Sequence, residues 1–487
     1  MYKYSKLITA AITLGLLILL TSCGDVPNIV HPVNITEETK KEPEPQPSQS
    51  QPNESSESEF SAAESNPEQN NTATDTSQQF DESQPKLDVS QTSASQQVPD
   101  ASQSSDTPDA PQLSDLPEEI SITITAAGDV TLGNHMEQGY EATFRQTYDN
   151  AEDKSYFFEN VADIFRQDDM TIVNLEGALT LSENFAEGRT YNIKGDPEYA
   201  WLLTDASIEA VSMGNNHRLD YGEEGSRDTV AALQEAGVAY AYDTYTGTYE
   251  TQGIKIGWVS VNEASQGKNV EKILQNGIAS LKEEGAQLIL AACHWGTERE
   301  YYPEDYQKEL GRKCIDWGAD LVIGHHPHVL QGIDQYQGKY IIYSLGNFCF
   351  GANRNPADKD TMIFQQTFTF RRAEQGETAQ EGTEASDAKI VENAQEGTEA
   401  ANAETAENVL TWESAQPGEA RIIPCRISSV TTRNDFKPTP LTGEEGQRVI
   451  DRINEFSLEY GVKADEQGIL SWTGVDGAAE AKAAETE

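Results

Sequence analysis

Between residues 118 and 372 the chain repeats one pattern, an apolar run of strand length that ends in a cluster of polar side chains. Val, Ile and Leu dominate these runs without strict alternation with polar residues, which is typical of strands buried on both faces. The pattern therefore predicts six buried strands with polar groups at their carboxyl ends. The six runs are SITITAAGD (121–129), MTIVNLEG (170–177), IEAVSMGNNH (208–217), AQLILAACHWG (286–296), ADLVIGHHPH (319–328) and KYIIYSLGNF (339–348).

Two segments between these runs have the periodicity of amphipathic helices, with apolar side chains every three or four residues. Strands that alternate with helices predict an α/β fold. In open α/β sheets, ligands bind at the carboxyl ends of the strands, so the six polar clusters are expected to converge on one site. The periodic positions are Val270, Ile273, Leu274, Ile278 and Leu281 in the first segment and Tyr306, Leu310, Cys314 and Trp317 in the second.

The histidines follow the same pattern. The chain has seven, and all except His31 lie in or close to a polar cluster, three of them within GHHPH (324–328). A polar turn fixed by Pro327 is the alternative, but neutral imidazole is the commonest metal ligand in proteins. Together with carboxylate and amide oxygens, these imidazoles form a ligand set that suits Zn, Mn or Fe, whereas a structural zinc site would carry thiolates.

The N-terminus has the features of a secretory signal. Lys3 and Lys6 precede an apolar run of 14 residues, Leu7 to Leu20, which is shorter than the roughly 20 residues of a membrane span. The run leads into Leu-Thr-Ser-Cys (20–23), which resembles a bacterial lipobox. We expect a signal peptide over residues 1–22 and a lipidated Cys23; an uncleaved single-span anchor is the alternative. Both place the protein at the membrane, on its extracytoplasmic face.

Three segments are predicted to be disordered because they are too poor in apolar residues to form a core. They are a stalk over residues 23–117, an acidic insertion over 373–408 and a tail over 476–487. The folded domain is expected over 118–475. The formal net charge of −48 argues against nucleic acid and anionic lipid as partners and favours a divalent cation.

Four cysteines lie in the predicted domain: Cys293, Cys314, Cys349 and Cys425. Two disulfides, in any of three connectivities, are compatible with an extracytoplasmic location. Cys293, Cys314 and Cys349 lie in apolar stretches, which favours buried free thiols.

Six motifs in order along the chain resemble the capsule-synthesis CapA family, also called the poly-γ-glutamate capsule domain, which is part of the metallophosphatase-like superfamily. The resemblance implies a four-layer αββα sandwich, two sheets flanked by helices, with one or two divalent metal ions at the strand ends. The motifs are GDVTLG (128–133), NLEG (174–177), GNNHRLDYG (214–222), HWGTE (294–298), GADLVIGHHPHVLQG (318–332) and SLGNF (344–348).

The resemblance also implies roles for individual residues. Asp129, Glu176 (in the bridging position), Asn216 and His294 would bind metal, with two of His325, His326 and His328. His217 would act as a general acid or stabilise charge on the substrate. Glu298 is a further catalytic candidate, with a solvated surface charge as the alternative. Asn215 and Asn347 are candidates for substrate binding. Holding a turn is the alternative for Asn347 and for the metal candidate Asn216.

Three departures from the superfamily leave the number of metals open. The usual Asp-x-His reads Asp129-Val130-Thr131, the usual bridging aspartate is Glu176, and Gly-His-x-His has become GHHPH. His135 is the one histidine near the missing position. Two metals, one metal or none tightly bound are all compatible with these residues.

The sequence favours a membrane-anchored, extracytoplasmic protein for the synthesis, export or anchoring of a capsule polymer of the poly-γ-glutamate type, acting as a metal-dependent phosphoesterase-type hydrolase. Its expected partners are the membrane, through Cys23, and an anionic polymer or phosphoester substrate. The alternative is a non-catalytic accessory protein that binds the polymer or a synthase subunit. A hydrolase of polymer amide bonds is a third hypothesis, since the same activated water would serve it.

Overall fold

The structure, a computed structural model, describes residues 117–373 and 412–474. The predicted signal peptide, Cys23, the stalk up to residue 116, the acidic insertion from residue 374 and the C-terminal tail lie outside the described residues. Within the described residues, no helix is both long enough and apolar enough to cross a membrane.

The described residues form strands and helices that alternate over much of the chain. The strands are β1 (Glu119–Thr131), β2 (Asn134–His135), β3 (Met170–Leu175), β4 (Ala178–Leu179), β5 (Ile193–Gly195), β6 (Ala210–Ser212), β7 (Ala239–Ala241), β8 (Gly247–Thr251), β9 (Ile254–Asn262), β10 (Leu288–His294), β11 (Leu321–His325), β12 (Ile333–Tyr336), β13 (Lys339–Ile342), β14 (Asn347–Phe350), β15 (Asp360–Arg371), β16 (Gln416–Arg426), β17 (Thr439–Pro440), β18 (Val462–Ala464) and β19 (Leu470–Trp472). The α-helices are α1 (Phe144–Asn150), α2 (Ala162–Phe165), α3 (Trp201–Asp205), α4 (Gly222–Ala236), α5 (Glu263–Gln266), α6 (Asn269–Glu283), α7 (Asp305–Trp317) and α8 (Gly443–Ser457).

Most strands belong to two mixed sheets. The first has the order β17-β16-β15-β1-β3-β6-β7, and β14 also pairs with β1. The second has the order β12-β13-β11-β10-β9-β8. Strands β14, β1, β3, β6 and β7 are parallel, as are β9, β10, β11 and β13. Each sheet therefore has one edge at which the carboxyl ends of several strands meet. The prediction of an α/β fold is confirmed.

The two sheets share a hydrophobic core. Ile172 of β3 belongs to the same buried cluster as Leu290 of β10 and Leu274 of α6. Val173, the next residue of β3, packs instead in a second cluster with Leu233 of α4. Successive side chains of a strand point to opposite faces, so one face of the first sheet contacts the second sheet and the other is covered by helices.

A β-bulge in β1 determines the direction of Asp129. The pairing of β1 with β3 shifts between Ala126 and Asp129, where β1 has one residue more than β3. Ala126 belongs to the core that both sheets share, whereas Val130 belongs to the helix-covered core. The extra residue therefore turns Asp129 to the inter-sheet side, and bulges commonly re-aim a side chain in this way next to active sites.

Five of the six predicted strands form as single strands, β1, β3, β6, β10 and β11, and the two predicted helices form as α6 and α7. The prediction of a single strand over residues 339–348 is wrong. It divides into β13 of the second sheet and β14 of the first. Gly346 has φ 72°, a left-handed conformation that interrupts an extended strand and that glycine adopts without steric cost. The four cysteines are buried free thiols, as favoured by the sequence.

Candidate metal centre

The carboxyl ends of the parallel strands bring the predicted side chains together, as the sequence predicts. His294 and His325 are direct neighbours at the ends of β10 and β11. Asp129, near the end of β1, lies opposite Asn347 of β14. Glu176 directly follows β3, while Asn216 and His217 follow β6. The site therefore draws its residues from both sheets.

Two glycines allow backbones to approach closely at this site. A Cβ atom on Gly128 would lie 2.0 Å from the carbonyl oxygen of Gly346. A Cβ atom on Gly324 would lie 2.0 Å from the carbonyl oxygen of Tyr343. No side chain fits at either distance, so the glycines that begin GDVTLG and GHHPH are explained by backbone packing.

Asp129 is fully buried, and polar groups surround its carboxylate. The Asn174 side chain donates a hydrogen bond to Oδ1 at 2.9 Å. Nδ1 of His328 lies 3.1 Å from Oδ2, and Nδ1 of His325 lies 3.2 Å from Oδ1. Burial by itself would raise the pKa of Asp129, but the two histidines outweigh burial and hold the pKa well below its usual range. Asp129 is therefore ionised.

Glu176 is 1% exposed, and neither of its carboxylate oxygens has a hydrogen-bond partner among the described residues. Three imidazole Nε2 atoms face Oε1, from His328 at 3.6 Å and from His217 and His294 at 3.9 Å. These distances exceed those of hydrogen bonds. Burial raises the pKa of Glu176 to about 7. A buried carboxylate without partners is costly, so this arrangement calls for a positively charged ligand.

The spacing around Glu176 fits a metal ion. Zinc–nitrogen and zinc–oxygen bonds are about 2.0–2.2 Å long, so two ligand atoms on one ion lie roughly 3 to 4 Å apart. The three separations from Oε1 to nitrogen fall within that range. In the described part of the chain, two groups of ligand atoms lie within 4.8 Å of one another, Asp129–Glu176–His328 and Glu298–His326–His328. His328 belongs to both groups.

His294 and His326 have the electrostatic character of metal ligands. Burial holds the pKa of His294 well below its usual range, and burial together with His328 lowers the pKa of His326 to about 4. Both rings are therefore neutral, the form that binds metals. Nε2 of His294 lies 2.8 Å from Oδ1 of Asn216. Nδ1 of His326 is buried and has no hydrogen-bond partner among the described residues.

The GHHPH loop holds its histidines in uncommon backbone conformations. His326 has φ 98° and His328 has φ 58°, values that residues other than glycine rarely adopt and that concentrate at functional sites. Nδ1 of His328 lies 3.0 Å from Oδ1 of Asn347, whose Nδ2 donates to the His328 carbonyl at 3.0 Å. Burial would lower the pKa of His328, but Glu176 and Asp129 raise it to about 10.

Asp220 was missed by the sequence analysis. Its buried carboxylate accepts hydrogen bonds from Nδ1 of His217 at 2.7 Å, from the Ile193 amide at 2.7 Å and from Arg189 at 2.9 Å. Burial would lower the pKa of His217, but Asp220 and Glu176 outweigh it and raise the pKa. Asp220 therefore orients His217 with Nε2 towards Glu176. The signal was the His-x-x-Asp spacing in NNHRLD.

Asn215 lies behind the ligand cluster. Its side-chain amide donates to Oδ1 of Asn174 at 3.1 Å and to the Leu175 carbonyl at 2.8 Å, and Oδ1 accepts from the His217 amide at 3.1 Å. These contacts hold the turn that carries His217, so a role in substrate binding stays a prediction.

His135 lies beside the cluster. Its Nε2 is 3.2 Å from the Thr190 carbonyl, and its Nδ1 accepts from the Glu137 amide at 3.2 Å. Both ring nitrogens are thus engaged with the backbone. Thr131, in the position of the missing superfamily histidine, is buried, and its hydroxyl has no hydrogen-bond partner among the described residues.

A cavity of about 550 Å³ opens over this cluster. Glu176, His217, His328 and Asn347 line its floor, and Glu298 lies on its exposed rim. Asn347 therefore stays a candidate for substrate contact. The cavity gives a small molecule, or part of a polymer, direct access to the cluster.

The family model described as bacterial capsule synthesis protein PGA_cap matches residues 123–352. These residues include all the candidate metal and catalytic side chains. Helix α8 and the strands from β15 onwards lie outside the match.

Three relatives are named for capsule or polymer synthesis. Capsule biosynthesis protein CapA of Bacillus anthracis is 27% identical over 258 residues, which cover 48% of this chain and 61% of that protein. PGA biosynthesis protein CapA of Bacillus subtilis (strain 168) is 28% identical over 249 residues, covering 47% and 63%. A "probable polyglutamine synthesis accessory protein" of Mycobacterium tuberculosis is 25% identical over 210 residues, covering 37% and 55%. The matched region spans less than two thirds of each relative.

Proposed function

We propose that the chain is a member of the bacterial capsule synthesis family that includes the CapA proteins, and that it is a metal-dependent hydrolase of the phosphoesterase type that acts on an anionic polymer of the cell envelope. The relatives' names connect them with capsule and poly-glutamate synthesis. We extend that connection to this chain as a role in the synthesis, export or anchoring of a capsule polymer.

The observation that carries the proposal is the environment of Glu176. Its two buried oxygens lack hydrogen bonds within the described residues, while three imidazole nitrogens lie 3.6 to 3.9 Å from one of them. Leaving a carboxylate in such surroundings costs several kcal/mol unless a positive charge is present. A divalent cation among these atoms would remove that cost, and His294, whose ring is neutral, would be one of its ligands.

The residues that would hold the cation lie at or after the carboxyl ends of parallel strands from both sheets. Asp129, Glu176 and His328 form one group and Glu298, His326 and His328 the other, with His294, Asn216 and His325 adjacent. Nitrogen and oxygen ligands without thiolate suit Mn, Fe or Zn. When bound, such a cation lowers the pKa of water to about 7 and offsets charge on a phosphoryl oxygen.

His217 is suited to donate a proton to a leaving oxygen. Asp220 accepts from Nδ1 at 2.7 Å, which leaves Nε2 as the atom that carries the mobile proton. Asp220 and Glu176 raise the pKa of His217, which favours the protonated ring. A protonated imidazole at the edge of the cavity also stabilises negative charge on the substrate.

The proposal includes the four-layer arrangement of the metallophosphatase-like superfamily. The core shared by the two sheets also contains Leu274 of α6 and Leu310 of α7, whereas α4 contributes Leu233 on the opposite face of the first sheet. Helix, sheet, sheet and helix in that order support the αββα assignment.

The proposed location is the extracytoplasmic face of the membrane, with Cys23 as the lipid attachment site. Cys23 lies outside the described residues, and the lipobox-like sequence supports this part of the proposal. Replacing Cys23→Ser should move the protein from the membrane fraction to the soluble extracytoplasmic fraction. Retention of the variant in the membrane would favour an uncleaved anchor.

Hydrolysis of bis(p-nitrophenyl) phosphate by the full chain tests the activity. We expect turnover that depends on added Mn²⁺ and falls at least 100-fold in His328→Gln, because this residue belongs to both ligand groups. Asp451→Asn is the control: Asp451 is exposed on α8 and belongs neither to the cavity lining nor to a ligand group, so activity should stay within about twofold. Equal activity in wild type and His328→Gln would contradict the proposal.

A non-catalytic accessory role is the second candidate. It is supported by Thr131, which stands where the superfamily has a histidine ligand, and by the name of the Mycobacterium tuberculosis relative, a probable accessory protein. In that case the full chain would bind metal without hydrolysing the phosphodiester and would co-purify with membrane-bound polymer synthase subunits.

A further inference from the structure

One wall of the cavity is made up of Gln138, Tyr191, Arg299 and Tyr301, none of which belongs to a ligand group, and Glu298 of the second ligand group lies next to Arg299. Tyr191 and Tyr301 lie on this wall and are 58% and 36% exposed. Aromatic rings that remain exposed beside a catalytic cluster provide flat apolar faces for a ligand. The composition of this wall therefore bears on the chemical class of the substrate.

Both rings are held in place by neighbours. Tyr191 packs edge-on against His135, with ring centres 4.9 Å apart. Tyr301 stacks on Phe456 of α8 at 5.7 Å, and the Arg452 guanidinium lies 4.9 Å from its ring centre. Rings that are fixed before binding lose little conformational entropy when a ligand packs on them.

Gln138 adds a hydrogen-bonding group to this wall. Its Nε2 donates to the Ala352 carbonyl, whereas its Oε1 has no hydrogen-bond partner in the described part of the chain. An unpaired amide oxygen requires a donor. A hydroxyl group supplies one, whereas an ionised carboxylate has no hydrogen to donate.

The charge of the wall is close to balanced. Glu298 and Arg299 are adjacent and carry opposite charges, and Asp358 is paired with Arg452 at 3.1 Å. Arg299 is the only lysine or arginine among the described residues that line the cavity. A polymer with one carboxylate on every unit would place further negative charges beside Glu298, which is unfavourable. Dissolved salt screens the attraction between such a polymer and positively charged residues farther than about 8 Å away.

We propose that this wall binds a neutral, hydroxyl-rich unit, a sugar or polyol, attached to the phosphorus ester, so that the substrate is a glycosyl or polyol phosphodiester. The inference rests on the proposed function for the phosphoester. The tyrosine faces pack on C–H groups, Gln138 accepts from a hydroxyl, and the single phosphate lies over the candidate metal centre. The volume of about 550 Å³ suits a ligand of this size, since small-molecule pockets span roughly 300–1,000 Å³.

Calorimetric titration of the full chain with Zn²⁺ present tests the inference with non-hydrolysable phosphonate probes. The probes are glucosyl methylphosphonate, glyceryl methylphosphonate, methyl methylphosphonate and tetra-γ-glutamate. We expect the glucosyl or the glyceryl probe to bind at least tenfold more tightly than methyl methylphosphonate and than tetra-γ-glutamate. Tighter binding of tetra-γ-glutamate, or no binding of the glucosyl and glyceryl probes, would overturn the inference.

Substitutions on the wall provide the second readout. Tyr191→Ala and Tyr301→Ala should each weaken the preferred probe about 2- to 10-fold and leave methyl methylphosphonate unchanged. Tyr191→Phe keeps the ring and should retain affinity. Tyr302→Ala is the matched control: Tyr302 is 55% exposed and contacts the same Phe456 at 5.4 Å but does not line the cavity. Equal losses for all probes would show a structural effect and contradict the inference.

The two proposals fail in different ways. If the probes bind as expected but bis(p-nitrophenyl) phosphate is not hydrolysed, the wall assignment holds and the hydrolase assignment does not. If that ester is hydrolysed but the sugar and polyol probes do not bind, the hydrolase assignment holds and the wall assignment does not.

Discussion

Glu176 and Asp360 are both buried carboxylates, but their surroundings are opposite. Asp360, at the start of β15, is 7% exposed. Its carboxylate accepts hydrogen bonds from both Nη atoms of Arg448 at 2.7 Å and from Nη1 of Arg452 at 2.6 Å. Glu176 accepts no hydrogen bond from any described residue and is faced by imidazoles beyond hydrogen-bonding distance. One carboxylate is saturated by its own chain, and the other is not.

The different surroundings of the two carboxylates indicate a structural role for Asp360 and a functional role for Glu176. Arg448 and Arg452 lie one turn apart on α8 and thus on the same face, so their bonds to Asp360 attach this helix to the first sheet. A paired charge of this kind is complete in the folded chain. The carboxylate of Glu176 lacks such bonds within the described residues, which is why we propose that the cluster around it binds metal.

The largest expected effect follows from removing the unsaturated carboxylate. Glu176→Gln should lower phosphodiesterase activity at least 100-fold. Mutating a group that only hydrogen-bonds a metal ligand typically lowers activity 10–100-fold, and loss of a ligand itself should lower it more. The unfolding free energy of the metal-free protein should stay the same or rise, since a buried unpaired charge is removed. Urea denaturation with EDTA and steady-state kinetics measure the two effects. A marked loss of stability would mean that Glu176 is paired in solution.

Asp220 resembles both carboxylates. Like Asp360 it is fully hydrogen-bonded within the chain, but one of its partners is the catalytic candidate His217. Asp220→Asn should reduce kcat about 10- to 100-fold with little change in KM, because His217 loses the carboxylate that accepts from Nδ1 and favours the protonated ring, which would donate its proton from Nε2. The metal content should be unchanged. A pH profile identical to that of the wild type, only scaled down, would indicate that Asp220 has no influence on the titration of His217.

The saturated carboxylate should affect stability alone. Asp360→Asn should lower the unfolding free energy by about 1–3 kcal/mol, less than for a fully buried pair because Arg448 is partly exposed. Activity per folded molecule should change little. Asp451→Asn, an exposed position on the same helix, is the control and should cost no more than about 0.5 kcal/mol.

The pH dependence of this stabilisation has a definite sign. Burial would raise the pKa of Asp360, but Arg448 and Arg452 outweigh it and lower the pKa below its usual 3.8. The stabilisation is therefore complete above the unfolded-state pKa of about 3.9 and is lost as pH falls through the folded-state pKa. The difference in unfolding free energy between wild type and Asp360→Asn should be constant from pH 8 to pH 5 and shrink below about pH 4. A difference that grows on acidification would contradict this reasoning.

Much of the fold follows from local patterns. Apolar runs without alternation predicted β3, β10 and β11, which are buried on both faces, and apolar periodicity predicted α6 and α7. The division of residues 339–348 between two sheets did not follow from the pattern, because both halves are apolar and the break depends on the conformation of Gly346. The pairing of β15 with β1 is a contact distant in sequence that no local pattern contains.

The convergence of the candidate residues on one place was predictable from the sequence, whereas the geometry of the site and the contact of Asp220 with His217 were not. Histidines at strand ends identified the cluster, since strands of one direction bring their ends together. The roles of Asn174 and Asp220 depend on orientation, which the bulge in β1 and the turn after β6 determine. Which histidines of GHHPH group together depends on backbone conformation, and proximity favours His326 and His328.

Metal content by mass spectrometry is the most direct test of the claim that the cluster around Glu176 is a cation site. The full chain, purified after exposure to Mn²⁺, Fe²⁺ or Zn²⁺ and then desalted, should retain one or two ions per chain. Glu176→Gln and the double variant His326→Ala/His328→Ala should retain fewer, while Asp360→Asn should match the wild type. Equal retention in all four proteins, or no retained metal in the wild type, would contradict the assignment of this cluster to metal binding.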